Sequence, residues 1–364
     1  MRARTLPSAL IATATALSLL PVPAATAAGA GSVASAVLVA KLTGPGSINQ
    51  TDSRYHLKAT DLGIMWDNGS GEVLTAFGDT FGDGWAGPGG GVGDGPTIDW
   101  RSNTLARSND VNLSDGMTFT SVVQDRAGHA GELLGSKKMD NDEMTVIPTA
   151  GVSVGARSYL HYMSVRHWGD PGRWLTNYSG VAYSDDDGQS WYKDPNTRWK
   201  NDAAGSDNFQ MAAYAKADGY VYMFGTPNGR FGDVRLARVR QDEMLSLGAY
   251  EYWNGTGWEG QESAAVPVVP APVSELSVHY DTFLGKWLMM YLADNGSGIV
   301  LRTSSALTGP WSGERQVVSS AAYPGLYGGF IHPWSARLGG PDLYFTMSQW
   351  NPYNVFLMRT TVSP

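Results

Sequence analysis

One pattern recurs along the 364 residues and constrains the fold more than any other feature. An apolar run passes into Ser/Thr-containing polar residues and then into a turn. It appears as "LARSNDVNLSDGMTF" from Leu105, "VAYSDDDGQSW" from Val181, "LARVRQDEMLSLGAYEYW" from Leu236, "IVLRTSSALTGPW" from Ile299 and "VFLMRTTVS" from Val355. The copies are spaced at roughly 55 to 75 residues, within reach of propeller-type periods. Two further strand-like runs precede each copy. The second of these are "VLTAFGD", "YLHYMSV", "YVYMFGT", "WLMMYLA" and "LYFTMSQ". The first are "DLGIMWD", "IPTAGVSV", "FQMAAYAK", "ELSVHYD" and "FIHPWSAR". Five copies of a three- or four-strand unit predict an all-β fold, a five-bladed β-propeller in which each blade is a small twisted sheet. The last copy ends at the C-terminus, so "SAVLVAKLTG", residues 35–44, is expected to supply its outermost strand and close the ring. "SDDDGQSW" matches the Asp-box hairpin, in which Asp186 satisfies turn amides and Trp191 packs between strands. A two-sheet sandwich suits five strand triplets poorly. The 45 Gly and 13 Trp fit many short strands joined by glycine-containing turns.

The N-terminus, "MRARTLPSALIATATALSLLPVPAATAAGA", joins Arg2 and Arg4 to a short apolar stretch and an Ala25-Thr26-Ala27 cleavage site. This predicts a secretory signal over 1–27 and one propeller catalytic domain over 28–364. A retained membrane anchor is the alternative, but Pro21 and Pro23 break the apolar stretch. Losing Arg2 and Arg4 with no acid takes the formal charge from −8 to −10. That balance, without a basic cluster, argues against nucleic acid and anionic membranes as partners. The expected protein is extracellular, monomeric and free of disulfides, since it contains no cysteine.

The hairpin "TDLGIMWDNGSGEVLTAFGDTFG", residues 60–82, carries Asp61 at one outer end and Asp79 at the other. With a three-residue turn at Gly69-Ser70-Gly71, the two fall opposite each other. Like charges facing across paired strands are destabilising, so this arrangement calls for a reason. Propeller chemistry sits where loops enter the innermost strands and leave the second strands. The strand starts give Asp61, Thr149, Asn208 with Gln210, Glu275 and His332. The strand ends give Asp79, Ser164 with Arg166 and His167, Thr226, Asp294, and Gln349 with Trp350. A carboxylate pair beside aromatic faces is the equipment of glycoside hydrolysis, one carboxyl as acid and the other as nucleophile or base. Trp66, Trp85, Trp100, Trp168, Trp334 and Trp350 offer such faces, although core packing is the simpler role for Trp66. His161 and His279, in mid-strand, read as core histidines. The glycine-rich "GPGGGVGDG", residues 87–95, lacks the Lys and helix of a phosphate cradle. No His or Cys stands at metal-ligand spacing, so no cofactor is expected; a Ca²⁺ or Na⁺ ion in the central channel stays open. Opposite pairing would put the carboxyl groups close enough for a retaining mechanism.

The hairpin, with "DWRSNTLARSND", "GPWS" and "YGGFIHPWS…LYFTMSQWNPYNVFLMR", resembles the secreted actinobacterial family formerly labelled domain of unknown function 4185. That family is now glycoside hydrolase family 183, the endo-D-arabinanases, and the resemblance runs from about Ala40 to the C-terminus. It implies a five-bladed propeller acting on the α-linked D-arabinofuranan of mycobacterial arabinogalactan and lipoarabinomannan. It also implies that Asp61 and Asp79 are the catalytic aspartates. Glu275 and Asp294 are then candidates for a third acid or a sugar-hydroxyl acceptor. Gln210, Asn208, Arg166, His332, Trp100 and Trp350 are candidates for holding the substrate. Two rivals stand beside this reading. One is a glycosidase of L-arabinan or fructan type with Glu275 as general acid; the other is a non-catalytic carbohydrate-binding propeller.

Overall fold

The computed structural model describes residues 32–91, 97–202, 204–335 and 339–364; the expected signal peptide and part of the glycine-rich stretch lie outside them. The described chain is all-β apart from a short helix, Thr51–Tyr55, and brief 3-10 turns. Strands follow one another as antiparallel neighbours, as expected for apolar runs separated by tight turns. The first sheet orders Leu62–Asp67, Val73–Phe77, Thr104–Ser108 and Ser121–Val122. The second orders Thr145–Val154, Arg157–Trp168, Trp174–Ser184 and Tyr192–Lys200. The third contains Met211–Ala217, Tyr220–Thr226 and Gly232–Arg240, whose edge pairs with the beginning of the long strand Pro267–Asp281. The rest of that strand opens the fourth sheet, followed by Lys286–Ala293, Gly298–Ser304 and Arg315–Val318. Its register breaks between Ser274 and Ser277, and Glu275 between them has φ 34°. The fifth sheet orders Leu326–Ile331, Asp342–Gln349, Asn354–Thr361 and, from the other end of the chain, Val37–Lys41.

The strand that opens each sheet lies against its counterparts in the sheets before and after, and Leu326–Ile331 returns against Leu62–Asp67. These inner strands form a closed ring among the described residues. Apolar layers fill the spaces between sheets. Trp66, Leu74, Val146, Leu160 and Trp191 lie between the first and second; Val152, Trp199, Phe209 and Val221 lie between the second and third. Each fully buried side chain of this kind contributes roughly 1.5–3 kcal/mol. In a chain without cysteine, ring closure depends on such burial and on the Val37–Lys41 strand. Thr43 Oγ1 donates to Asn354 Oδ1 at 3.0 Å, and Leu42 N donates to Val355 O at 2.9 Å. The Asp-box hairpin forms as expected. Asp186 accepts from Ser190 N at 2.9 Å and from the Ser190 hydroxyl, and Trp191 packs edge-on against Trp66.

Two expectations are corrected. The Gly69-Ser70-Gly71 turn forms, closed by Asn68 N donating to Glu72 O, and Asp67 pairs with Val73 as the opposite register requires. The register then slips by one residue between Ile64 and Leu62, because Leu62 at φ 67° and Gly63 at φ 84° form a bulge. Asp61 therefore lies opposite Gly78, with Gly78 N donating to Asp61 O, and Asp79 is displaced to the diagonal. Opposite pairing of the two aspartates, the ground for retention, is absent. The second correction concerns the fifth sheet, whose inner strand is Leu326–Ile331 and begins before the expected "FIHPWSAR". Gly328 and Gly329 lie within the strand, where Gly329 lets the chain pack tightly on Met290 and Ile299.

Candidate active site

Asp61 leads into the first sheet's inner strand, and Asp79 follows its second strand. The inner strands run in the same direction, so the beginnings of the others gather at the Asp61 end. Tyr327, one residue into the fifth sheet's inner strand, donates its hydroxyl to Asp61 Oδ2 at 2.9 Å. Tyr353, at φ 60° in the turn before Asn354, is a second tyrosine near the same carboxyl. Asp61 Oδ1 is shut away from solvent and has no hydrogen-bond partner. Gly78 makes room for it, since a Cβ there would lie 2.3 Å from that oxygen. Burial, then the neighbouring charge of Asp79, pushes the Asp61 carboxyl up to about 7.

Asp79 is more deeply buried, at 7% exposure against a half-buried Asp61, and better supplied with donors. Its Oδ1 accepts from Thr145 Oγ1 at 2.6 Å and Trp100 Nε1 at 2.8 Å. Thr145 opens the second sheet's inner strand. Lys138 places its ammonium 4.4 Å from the centre of the Trp100 ring, and it too favours an ionised Asp79. Burial raises this carboxyl to about 6, and the donors restrain the rise. Two adjacent carboxyls thus have different environments, one with a bare oxygen and the other with strong donors. Such a pair can share acid and base roles near neutral pH.

The other predicted residues separate into groups. Glu275 reaches the same end: its Oε1 accepts from Arg230 Nε at 3.0 Å and Nη2 at 2.8 Å, and its Oε2 accepts from Ser274 Oγ at 2.6 Å. Asp294 is exposed after the fourth sheet's second strand, with Gly172 from the second sheet packed against it. Trp350 is 52% exposed, meets Tyr353 edge-on at 5.5 Å, and has Gly89 packed closely on its indole ring. Trp100 is a hydrogen-bond donor to Asp79 and stacks on Phe81. Arg166 and His167 stand at the end of the second sheet's second strand, where His167 pairs with Asp140 at 2.7 Å. Asn208 is half-buried, and its carbonyl accepts from the Gln210 side chain. Gln210 itself is fully buried, with Oε1 accepting from Thr176 and Nε2 donating to Trp199 O. That leaves it holding the second and third sheets together.

His332 is at the other end of the ring. It follows the fifth sheet's inner strand, so the strand-start position expected for it belongs to Tyr327. Burial makes it a poor base, its ring lowered to about 3, and Trp334 N donates to its Nδ1. His161 is likewise buried and neutral, bonded to Thr149. Tyr327, Tyr353, Thr145 and Arg230 were not found by sequence reasoning. Arg230 and Thr145 could have been sought as polar residues flanking predicted strand ends; Tyr327 lies ahead of the expected start of its strand at Phe330. Among the described residues, no group of three or more His, Asp or Glu is arranged to hold a metal ion.

The family model described as domain of unknown function (DUF4185) matches residues 46–359. The chain belongs to this family. Its curated relatives include notoamide biosynthesis cluster protein J of Aspergillus sp. (strain MF297-2), 33% identical over 84% of this chain and 83% of the relative. Protein J' of Aspergillus versicolor is 33% identical over 88% of both chains. These relatives are fungal, whereas the motif resemblance implied an actinobacterial type. Among solved structures, a Bacteroides ovatus protein matches with a TM-score of 0.59 at 13% identity, over 86% of this chain and 88% of that one. The family 117 glycoside hydrolase Zg3597 of Zobellia galactanivorans matches with a TM-score of 0.52 at 14% identity, over 90% of both. At these identities the likeness is one of fold.

Proposed function

We propose that the protein is a secreted glycoside hydrolase that cleaves α-linked D-arabinofuranan internally. The carrying observation is the pairing of a buried Asp79 with a half-buried Asp61, whose two carboxyls face different hydrogen-bond partners. The ring of sheets is read as a five-bladed propeller, and the likeness in fold to a glycoside hydrolase supports the reaction class. In this mechanism Asp61, protonated, donates to the leaving glycosidic oxygen. Asp79, kept ionised by Thr145 and Trp100, draws a proton from the attacking water. Losing the opposite pairing removes the ground for retention, and inversion, with a water between carboxyl and sugar, is the outcome proposed. An α-linked substrate should first release the β-anomer, visible by NMR; immediate α-anomer would reverse the assignment of Asp79 from base to nucleophile.

The substrate class follows from the motif resemblance, and the exposed part of Trp350 beside Tyr353 offers apolar surface to a sugar. The reading extends to secretion, on the signal-like N-terminus, and to a monomeric state. Incubation with mycobacterial arabinogalactan should yield new reducing ends and oligosaccharides of several sizes. Release of single sugars alone would contradict internal cleavage, and absence of any reducing ends would contradict the substrate. The fungal relatives favour a second reading, since their names connect them with the biosynthesis of notoamide. In that reading the same cleft acts on or holds a small molecule, and arabinogalactan remains intact.

A further inference from the structure

Glu275 was a candidate general acid, and its surroundings argue for a different task. It lies where one strand leaves the third sheet and enters the fourth, at φ 34°, a backbone region that residues other than glycine seldom occupy. Its side chain is 9% exposed and that of its partner Arg230 is 21% exposed. Both carboxylate oxygens are engaged, one by two guanidinium N–H groups and the other by Ser274. A carboxylate whose two oxygens are both taken up by protein donors has no oxygen left to point at a leaving group. The Arg230 guanidinium carbon lies 5.0 Å from the centre of the Tyr327 ring, and Tyr327 donates to Asp61 at 2.9 Å. A continuous path therefore runs from Glu275 through Arg230 and Tyr327 to Asp61.

We propose that Glu275 is a positioning residue that acts on Asp61 through Arg230 and Tyr327, and is not itself the acid. This rests on the reading of Asp61 as proton donor. The titratable groups facing Asp61 are Asp79 from the first sheet, Tyr327 and Tyr353 from the fifth, and Glu275 from the fourth. Arg230, from the third, reaches it through the Tyr327 ring. With Glu275 ionised, the Arg230 cation is neutralised, and Asp61 keeps its proton. With Glu275 neutral, the uncompensated cation polarises the Tyr327 hydroxyl towards Asp61 and favours the ionised carboxylate. The acid would then be spent at neutral pH.

Glu275→Gln preserves shape and removes the charge. Carbon-13 NMR of the side-chain carboxyls, with the Asp61 signal assigned by its loss in Asp61→Asn, follows the titration without any substrate. The Asp61 midpoint should fall by about one pH unit in Glu275→Gln, and an unchanged midpoint overturns the proposal. Arg230→Gln leaves Glu275 negative and should raise the midpoint instead; a fall would also overturn it. This second variant keeps the test decisive should Glu275→Gln fail to fold. In Tyr327→Phe the effect of Glu275→Gln should shrink by at least half, and a full shift there would exclude the path through Tyr327. On arabinan, Glu275→Gln should lower the alkaline limb of kcat/KM by the same interval and keep kcat within about tenfold of wild type. Loss on the order of 10³-fold at every pH, restored with an aryl arabinofuranoside bearing a good leaving group, would make Glu275 the acid. If wild type leaves arabinan uncut, the functional reading fails while the titration still decides the role of Glu275.

Discussion

The strand Leu62–Asp67 is flanked by one aspartate and ends on another, and the two have opposite surroundings. Asp67 accepts from the Gly69 backbone amide at 2.7 Å through Oδ1 and from Trp334 Nε1 at 3.0 Å through Oδ2. It ties a turn to the fifth sheet. Asp61, at the other end of the same strand, has one oxygen bound by tyrosine and the other enclosed without a partner. The nearby polar groups differ in the same sense. At the Asp67 end, His332 is buried and neutral. At the Asp61 end, two carboxyls are held close to the pH at which each can gain or lose a proton. One end of the ring uses its charged groups for cohesion, while the other keeps them under tension, as expected where local rules are broken for chemistry.

The largest break in this contrast should come from the aspartates themselves. Asp61→Asn and Asp79→Asn should each lower turnover by on the order of 10³-fold or more without unfolding the protein. A variant retaining a tenth of wild-type activity would remove its residue from the chemistry. Asp61→Asn should also stabilise the fold at alkaline pH. The carboxyl titrates at about 7 when folded, against an ordinary value of 3.8, so the folded state binds the proton more tightly. Its contribution is fully present below pH about 4 and is lost as pH rises through about 7. Thermal melts should therefore show the variant gaining on wild type between pH 5 and pH 8; a constant difference would contradict the raised affinity.

A smaller effect is expected from Gly78→Ala. The added Cβ, 2.3 Å from Asp61 Oδ1, must displace the carboxyl. Turnover should fall by about 10²-fold, the scale of an ångström's misplacement, with little change in affinity for oligosaccharide measured by calorimetry. Asp67→Ala should do the reverse. Losing its bonds to Gly69 and Trp334 should cost about 1–2 kcal/mol in denaturant melts, while kcat stays within about twofold. A large loss of kcat would mean that the two ends of the strand are not separate in function.

The sheets were legible because their signal is local. Apolar runs such as "YVYMFGT" and "WLMMYLA", bounded by turns, became the second strands, and "SAVLVAKLTG" contained the strand that closes the fifth sheet. Asp61 and Asp79 were legible as ends of one hairpin, and their placement at one end of the ring agrees with that reading. The bulge at Leu62–Gly63 was not, because those dihedrals answer to packing: a Cβ at Gly63 would lie 2.9 Å from Val355 of the fifth sheet. The fifth inner strand begins at Leu326 and not at Phe330, and that shift exchanged Tyr327 for His332. Gln210 had the chemistry of a ligand-binding amide, but three-dimensional neighbours consume its hydrogen bonds. Sequence located the polar strand ends; which of them face a partner and which face the cleft depends on contacts between sheets.

The central claim is that Asp61 and Asp79 divide acid and base roles, and the pH dependence of kcat/KM on D-arabinan tests it most directly. Asp79 must be ionised and Asp61 protonated, so the rate should rise through about pH 6 and fall through about pH 7. Asp79→Asn should abolish the acidic limb from whatever rate remains, and Asp61→Asn the alkaline limb. A wild-type profile flat across this range, or limbs that persist in both variants, would contradict the account.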